Sequence, residues 1–194
     1  MNSAFDRTNA GLTDAATRLL RDRRTIHSFE TQPVDESIVL DALESACWAP
    51  NHRHTEPWIF LLPGPQTVSA IVDLNTELVR LAKGDESAAV KRERWKQIPG
   101  WICVLNRLDE DALRRREDYA ACCCAVQNMA LSLWSQGVGF KWTTGPVTRD
   151  PRIFEILGCD SSTHELVGLC WYGYPATVPE QKRKPLADVM RRLP

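Results

Sequence analysis

Apolar residues recur at helical spacing through PVDESIVLDALESACWAP, at Ile38, Val39, Ala42, Leu43, Ala46 and Cys47, with Asp41, Glu44 and Ser45 on the opposite side. The period predicts an amphipathic helix with Asp35 as N-cap and Pro50 as its stop. Upstream, TDAATRLLRDRR has a shorter stripe behind Thr13 or Asp14, which predicts a first helix to about Arg21 and a mobile segment over 1–12. PQTVSAIVDLNTELVRLAKG repeats Val68, Ile71, Val72, Leu78 and Val79 and closes on Lys83-Gly84, as a helix does at its C-terminus. DESAAVKRERWKQIPG is so charged that it predicts a surface helix with little core face. From Tyr119 to Leu133 the pattern is apolar almost all round, which predicts a long helix through the middle of the core. The continuous runs WIFLL and WICVL and the longer HELVGLCWYGYP predict buried strands, FKWTTG a further strand, and DPRIFEILGC a short helix capped by Asp150.

Helices and strands do not alternate regularly, so the order of elements predicts an α+β fold with helices around a small mixed sheet. At 194 residues the chain is long enough to bury a core as one domain spanning 1–194 and short for two. Its 43% hydrophobic and 25% charged residues fit a globular protein. No run approaches the roughly 18 apolar residues needed to cross a bilayer. The first residues, with Asp6 and Asp14, lack the apolar block of a secretory signal, so the expected compartment is the cytoplasm. A formal net charge of −1 and a pI near 6.4 argue against a general nucleic-acid binder and leave local anion binding open. The seven cysteines form no framework. Cys122, Cys123 and Cys124 are consecutive and fan out by about 100° each on a helix, so reduced, mostly buried thiols are expected rather than a disulfide scaffold.

Two basic clusters stand out. Arg23 and Arg24 leave the first helix beside Thr25 and His27, and QKRKPL supplies Lys182, Arg183 and Lys184. Guanidinium forks match phosphate oxygens and a nearby hydroxyl completes a cradle, so the clusters can converge on one phosphate. The competing reading is a solvated basic helix end favoured by the helix dipole. In NHRHTEPW, His52 and His54 lack the cysteine or histidine partners of a zinc site, and no metal is expected. That loop, with Asn51 and Glu56, resembles a ring of hydrogen-bonding groups suited to a planar heterocycle. KWTTGP sets Trp142, Thr143 and Thr144 at a strand end, either as a second edge for such a ring or as ordinary surface residues. The two common nucleotide fingerprints, GxGxxG and GxxxxGK[ST], are absent, as is any nucleophile motif for hydrolysis.

RRTIHSFETQPVDESIVLDALESACWAPNHRHTEPW resembles the opening of the nitroreductase family, flavin oxidoreductases with an RRS-like triplet, a PV segment before a helix, then AP, a polar loop and QPW. The resemblance runs on through the central helix, QGVGFKWTTGPV and GYPA…KRKPL, and is strongest to the small, minimal members. It implies helices packed around a mainly antiparallel sheet and a homodimer with FMN at its interface. It implies that Arg23, Arg24 and Thr25 meet the phosphate and polar rim of FMN, with His27 close by and Arg183 on the phosphate. His52 and Glu56 fall on the loop facing the flavin, which such dimers share with the partner subunit. Trp142, Thr143 and Thr144 fall along the isoalloxazine. Glu56 departs from the usual glutamine: a carboxylate accepts from the flavin N3–H and donates to nothing. The implied activity is ping-pong hydride transfer from NADH or NADPH through the flavin to a small acceptor such as a nitroaromatic or quinone, with no side chain as an obligatory acid or base. The alternative is a flavin-binding or flavin-consuming variant without nicotinamide turnover.

Overall fold

A computed structural model describes residues 10–194. Six helices and four strands follow in the order α1 (Ala10–Asp22), α2 (Glu36–Cys47), β1 (Trp58–Leu61), α3 (Pro65–Lys83), α4 (Asp85–Lys96), β2 (Gly100–Arg107), α5 (Ala112–Ser135), β3 (Gly139–Thr143), α6 (Arg152–Leu157) and β4 (His164–Gly173). The strands form one sheet in the order β1-β2-β4-β3, antiparallel at every pairing. The one parallel contact among the described residues is a bridge from Thr25 to Phe140. The architecture is the α+β arrangement of helices around a small, mainly antiparallel sheet that the element order predicts.

Each face of the sheet has its own core, which is why β2 reads as an unbroken apolar run. On one face Ile102, Val104 and Phe140 pack with Val39, Ala42 and Ala46 of α2 and with Cys122, Val126, Met129 and Leu133 of α5. On the other, Trp101, Cys103, Leu169 and Trp171 meet Ile71 and Val72 of α3 and Ile153 of α6. β1 lies at the sheet edge and is half-buried along its length, so its apolar run overstated its burial.

Several elements differ instructively from their expectation. Helix α1 already includes Ala10, so Thr13 and Asp14 sit inside it rather than capping it, and residues 10–12 of the segment expected to be mobile are helical; the rest of that segment, 1–9, lies outside the described residues. Exposed helix positions tolerate Thr and Asp at roughly 0.5 kcal/mol each, too little to stop a turn. Asp35 caps α2 by accepting from Ser37 N, as the sequence predicts. Cys47 at the end of its stripe is exposed, while Ser45 turns inward and meets the Ser132 hydroxyl of α5 at 3.3 Å. Helix α4 does carry a core face. Ala88 and Trp95, seven residues apart and thus on one side of the helix, are both buried. Trp95 joins Trp101 and Trp171 in a triad of edge-on rings with centroids 5.0–5.5 Å apart. Asp150 holds the start of α6 through Arg152 N although it lies one residue outside the cap position.

Helix α5 runs along one core with a single face. Ala121, Cys122, Ala125, Val126, Met129, Ala130 and Leu133 are buried, whereas Tyr119 and Gln127 are exposed and Cys123 and Cys124 half-buried. The pattern that is apolar almost all round is therefore covered on one side only. All seven cysteines are free, three of them buried. No described helix is long and apolar enough to cross a membrane.

Candidate functional site

Past α1 the chain turns along the free edge of β3. Ile26 N donates to Phe140 O at 3.0 Å and Thr25 bridges Phe140, which fixes residues 23–26 against the end of the sheet. Alternation along β3 then sorts its side chains. Phe140 and Trp142 point to the α5 side, and Lys141 points to the tryptophan triad.

Between these elements lies a pocket of about 200 Å³. Arg23 and Thr25 form its polar wall, Phe140 and Trp142 its aromatic wall, and Cys123, Val126, Gln127 and Ala130 of α5 its third side. The Trp142 ring is held in place by its indole N–H, which donates to Val167 O at 3.0 Å. Arg23 is half-buried, and its Nε is buried without a hydrogen-bond partner among the described residues. A buried donor left unpaired costs about 1–3 kcal/mol, more when charged, so this atom fits an anionic ligand's acceptor. Burial lowers the Arg23 pKa, and the charges of Arg183 and Arg24 lower it further. Arginine nevertheless stays protonated. The same electrostatics show that the C-terminal tail brings Arg183 into the field of Arg23, across 160 residues of sequence.

Arg24 is committed differently. Its Nη1 donates to the carbonyls of Arg21 and Arg23, at 3.0 Å for the latter, so it satisfies the end of α1 in the way the helix dipole favours. His27 belongs to another neighbourhood: its Nδ1 is 3.2 Å from Lys141 Nζ and its carbonyl accepts from Arg94 at 3.1 Å. Thr143 and Thr144 continue past Trp142 without lining the pocket, and the Thr144 carbonyl accepts from Arg149.

His52, in a short 3-10 turn (His52–His54), and Glu56, just past it, are exposed and lie outside the pocket lining of the protomer. The turn is strained: Arg53, His54 and Glu56 have φ of 62°, 51° and 44°, a region that non-glycine residues seldom occupy. Asn51 holds it in that shape. Its Oδ1 accepts from Glu56 N at 2.7 Å and its Nδ2 donates to Thr55 Oγ1 at 3.0 Å, while Thr55 Oγ1 in turn donates to the buried Asp118 of α5. Among the described residues no group of three or more His, Cys, Asp or Glu is placed to hold a metal ion.

The structure thus brings together Arg23, Thr25 and Trp142, with Arg24 adjoining and Arg183 within electrostatic reach. It leaves His27, His52, Glu56, Thr143 and Thr144 outside that pocket. Sequence reasoning missed Cys123 and Gln127, whose spacing of four was a legible sign of a shared helix face, and Asp118, an acid beside the apolar run of α5.

The nitroreductase family model matches residues 20–174. YfhC of Bacillus subtilis, whose name assigns it to the NAD(P)H nitroreductases, is 32% identical over 176 residues, covering 88% of this chain and 90% of its own. A crystal structure of a nitroreductase-like family protein from Bacillus cereus superposes with a TM-score of 0.80 at 31% identity, over 91% of this chain and 95% of that one. The FMN-dependent nitroreductase NfnB of Mycobacterium smegmatis, solved with NADPH, shares the fold at a TM-score of 0.75 and 16% identity, over 94% of this chain and all of that one.

Proposed function

The chain belongs to the nitroreductase family, and from that premise we propose that it is an FMN-dependent oxidoreductase using NADH or NADPH to reduce small acceptors such as nitroaromatics or quinones. The observation that carries the reading is the unpartnered, buried Nε of Arg23 in a pocket wall where Arg24 adjoins and the charge of Arg183 is felt. The guanidinium groups of Arg23 and Arg183 fit the terminal phosphate of FMN, with Arg24 adding its charge nearby. When bound, FMN supplies the hydride relay between nicotinamide and acceptor. The chain's own residues do the rest. Arg23 and Arg183 hold the phosphate, Thr25 offers a hydroxyl to the polar rim, and Val126, Ala130 and Phe140 keep water from the buried side. Trp142, anchored on Val167, gives a planar wall against which a ring system can be oriented. We read the chain as one domain.

About 200 Å³ is less than pockets that enclose a ligand of cofactor size, so one protomer holds only part of the molecule. A homodimer completes the site in this reading, with the turn carrying His52 and Glu56 delivered from the partner subunit. The surface supports it: Leu20, Leu40 and Trp48 are 60%, 51% and 81% exposed, and the tail exposes Val189, Met190 and Leu193. In this reading these side chains and the uncovered side of α5 are what the partner subunit covers. Sedimentation is expected to give twice the chain mass at micromolar concentration, with an interface beyond about 2,000 Å². A monomer that retains FMN tightly would remove the dimer from this proposal.

The activity is tested by anaerobic titration. The protein is expected to purify yellow, release FMN on heating, bleach with NADH or NADPH, and recover its colour on adding a quinone. A yellow protein that neither nicotinamide bleaches is a flavin-holding variant and overturns the oxidoreductase reading.

A further inference from the structure

Cations on the α3–α4 hairpin divide into two groups. Arg80, Arg92 and Lys96 each pair with a carboxylate, Asp85, Asp73 and Glu93 respectively, at 2.6–3.1 Å. Lys83, Lys91 and Arg94 pair with none among the described residues, nor does Lys141, which reaches the same place from β3. Lys91 and Arg94 lie three residues apart, hence on one face of α4. Arg94 donates to His27 O at 3.1 Å, and Lys141 Nζ is 3.2 Å from His27 Nδ1.

The tryptophan triad holds these ammonium groups in place. Lys141 Nζ lies 4.8 Å from the centroid of Trp171, and Lys91 Nζ lies 5.7 Å from that of Trp95. A groove of about 530 Å³ opens beside Lys91, lined by Lys83, Lys91 and Arg94, with Glu86 the single carboxylate among the described residues of its lining. The cluster carries the signature of mutual repulsion. Burial first, then Arg94 and Lys91, lowers the Lys141 pKa to about 8. Lys91 is lowered by burial, Arg94 and Lys83, and His27 by burial, Lys141 and Arg94. A protein of net charge −1 has carboxylates to spare for such positions, and among the described residues none lies within ion-pair distance of this cluster.

We propose that Lys91, Arg94 and Lys141, with His27 beside them, form a second anion site that binds a phosphate oxyanion, either free phosphate or the 2′-phosphate of a nucleotide. Arg94 presents a guanidinium fork and the two lysines point charges, the donor set that phosphate recognition uses. The site is separate from the Arg23 pocket: Lys141 and Trp142 are adjacent on β3 and point to opposite faces of the sheet. It does not depend on the flavin reading.

The test measures inorganic phosphate binding by calorimetry against chloride of equal ionic strength, in the wild-type chain, in Arg94→Gln, in Lys141→Gln and in Arg23→Gln/Arg183→Gln. The expected dissociation constant is on the order of 1 mM. It should weaken roughly tenfold or more in Arg94→Gln and Lys141→Gln, which each remove a charged donor, and persist in the double variant of the other pocket. Arg94 is exposed, so its variant reports even if Lys141→Gln folds poorly; Lys141→Arg should keep binding. In the wild type, phosphate should move the Lys141 titration upward from about 8, read by NMR of its side chain. Adenosine 2′-phosphate competing at tenfold lower concentration assigns the oxyanion to a nucleotide, and weaker competition assigns it to free phosphate. No binding beyond the chloride control, or binding lost with Arg23 and Arg183 but kept without Arg94, overturns the proposal.

Discussion

Arg23→Gln is expected to weaken FMN binding by about 1.5–3 kcal/mol, roughly ten- to hundredfold, the range for a hydrogen bond to a charged group. Arg24→Gln should cost less. The two arginines are neighbours in sequence, and composition gives no reason to rank them; the structure does. Arg24 already spends its Nη1 on the carbonyls of Arg21 and Arg23, whereas Arg23 has a buried Nε with no partner. A phosphate that meets Arg23 therefore satisfies an atom that folding left unsatisfied. Fluorescence quenching of FMN gives the dissociation constants, and riboflavin serves as the control because it lacks the phosphate. Loss confined to FMN supports the assignment. Equal loss for riboflavin, an unchanged constant, or a larger effect at Arg24 refutes it. Relief of repulsion from Arg24 and Arg183 means that the ligand-free variant should be no less stable than the parent.

How much of this was legible depended on which physical signal each residue left in the sequence. Helix α2 was legible because a cap, a period and a stop coincide at Asp35, Ile38–Ala46 and Pro50. The same consistency across levels made α3 and β2 readable. Helix α4 misled because its charges mask two buried positions, and a period needs more than Ala88 and Trp95 to be seen. For the site, the convergence of Arg183 on Arg23 was expected from the chemistry of two basic clusters and is visible in their electrostatics. His27 shows the limit of proximity in sequence. Two residues beyond Thr25, it is drawn to Lys141, whose orientation follows from the pleat of β3, and no one-dimensional pattern says which face of a sheet a flanking segment will meet. The Asn51–Thr55–Asp118 chain was illegible for a related reason, since its last bond joins residues 63 positions apart.

The pleat of β4 also fixes what can stand beside the Arg23 pocket, and it makes Gly168 a position where a single methyl group disturbs the pocket wall itself. Opposite the Val104–Leu105 step of β2, β4 slips register: Val104 pairs with Gly168 and Leu105 with Leu166, which leaves Val167 as a bulge. The Val167 carbonyl accepts the Trp142 indole N–H, and the ring lies over Gly168 so closely that an added Cβ would fall inside the indole and 3.0 Å from the Thr143 carbonyl oxygen. Gly168→Ala must therefore expel Trp142 from its seat. Forcing extra volume into a packed site costs about 1–3 kcal/mol, and losing the indole hydrogen bond adds about 1 kcal/mol, so about 2–4 kcal/mol is expected from denaturant midpoints. The aromatic wall of the pocket leaves with the ring, so FMN affinity should fall in the folded variant as well. A double-mutant cycle isolates the cause. In a Trp142→Ala background the added methyl meets no indole, and most of the Gly168→Ala cost should vanish. A loss within 0.5 kcal/mol of zero in the single mutant would show that the ring is not seated there, and strict additivity in the cycle would place the strain on the Thr143 backbone instead.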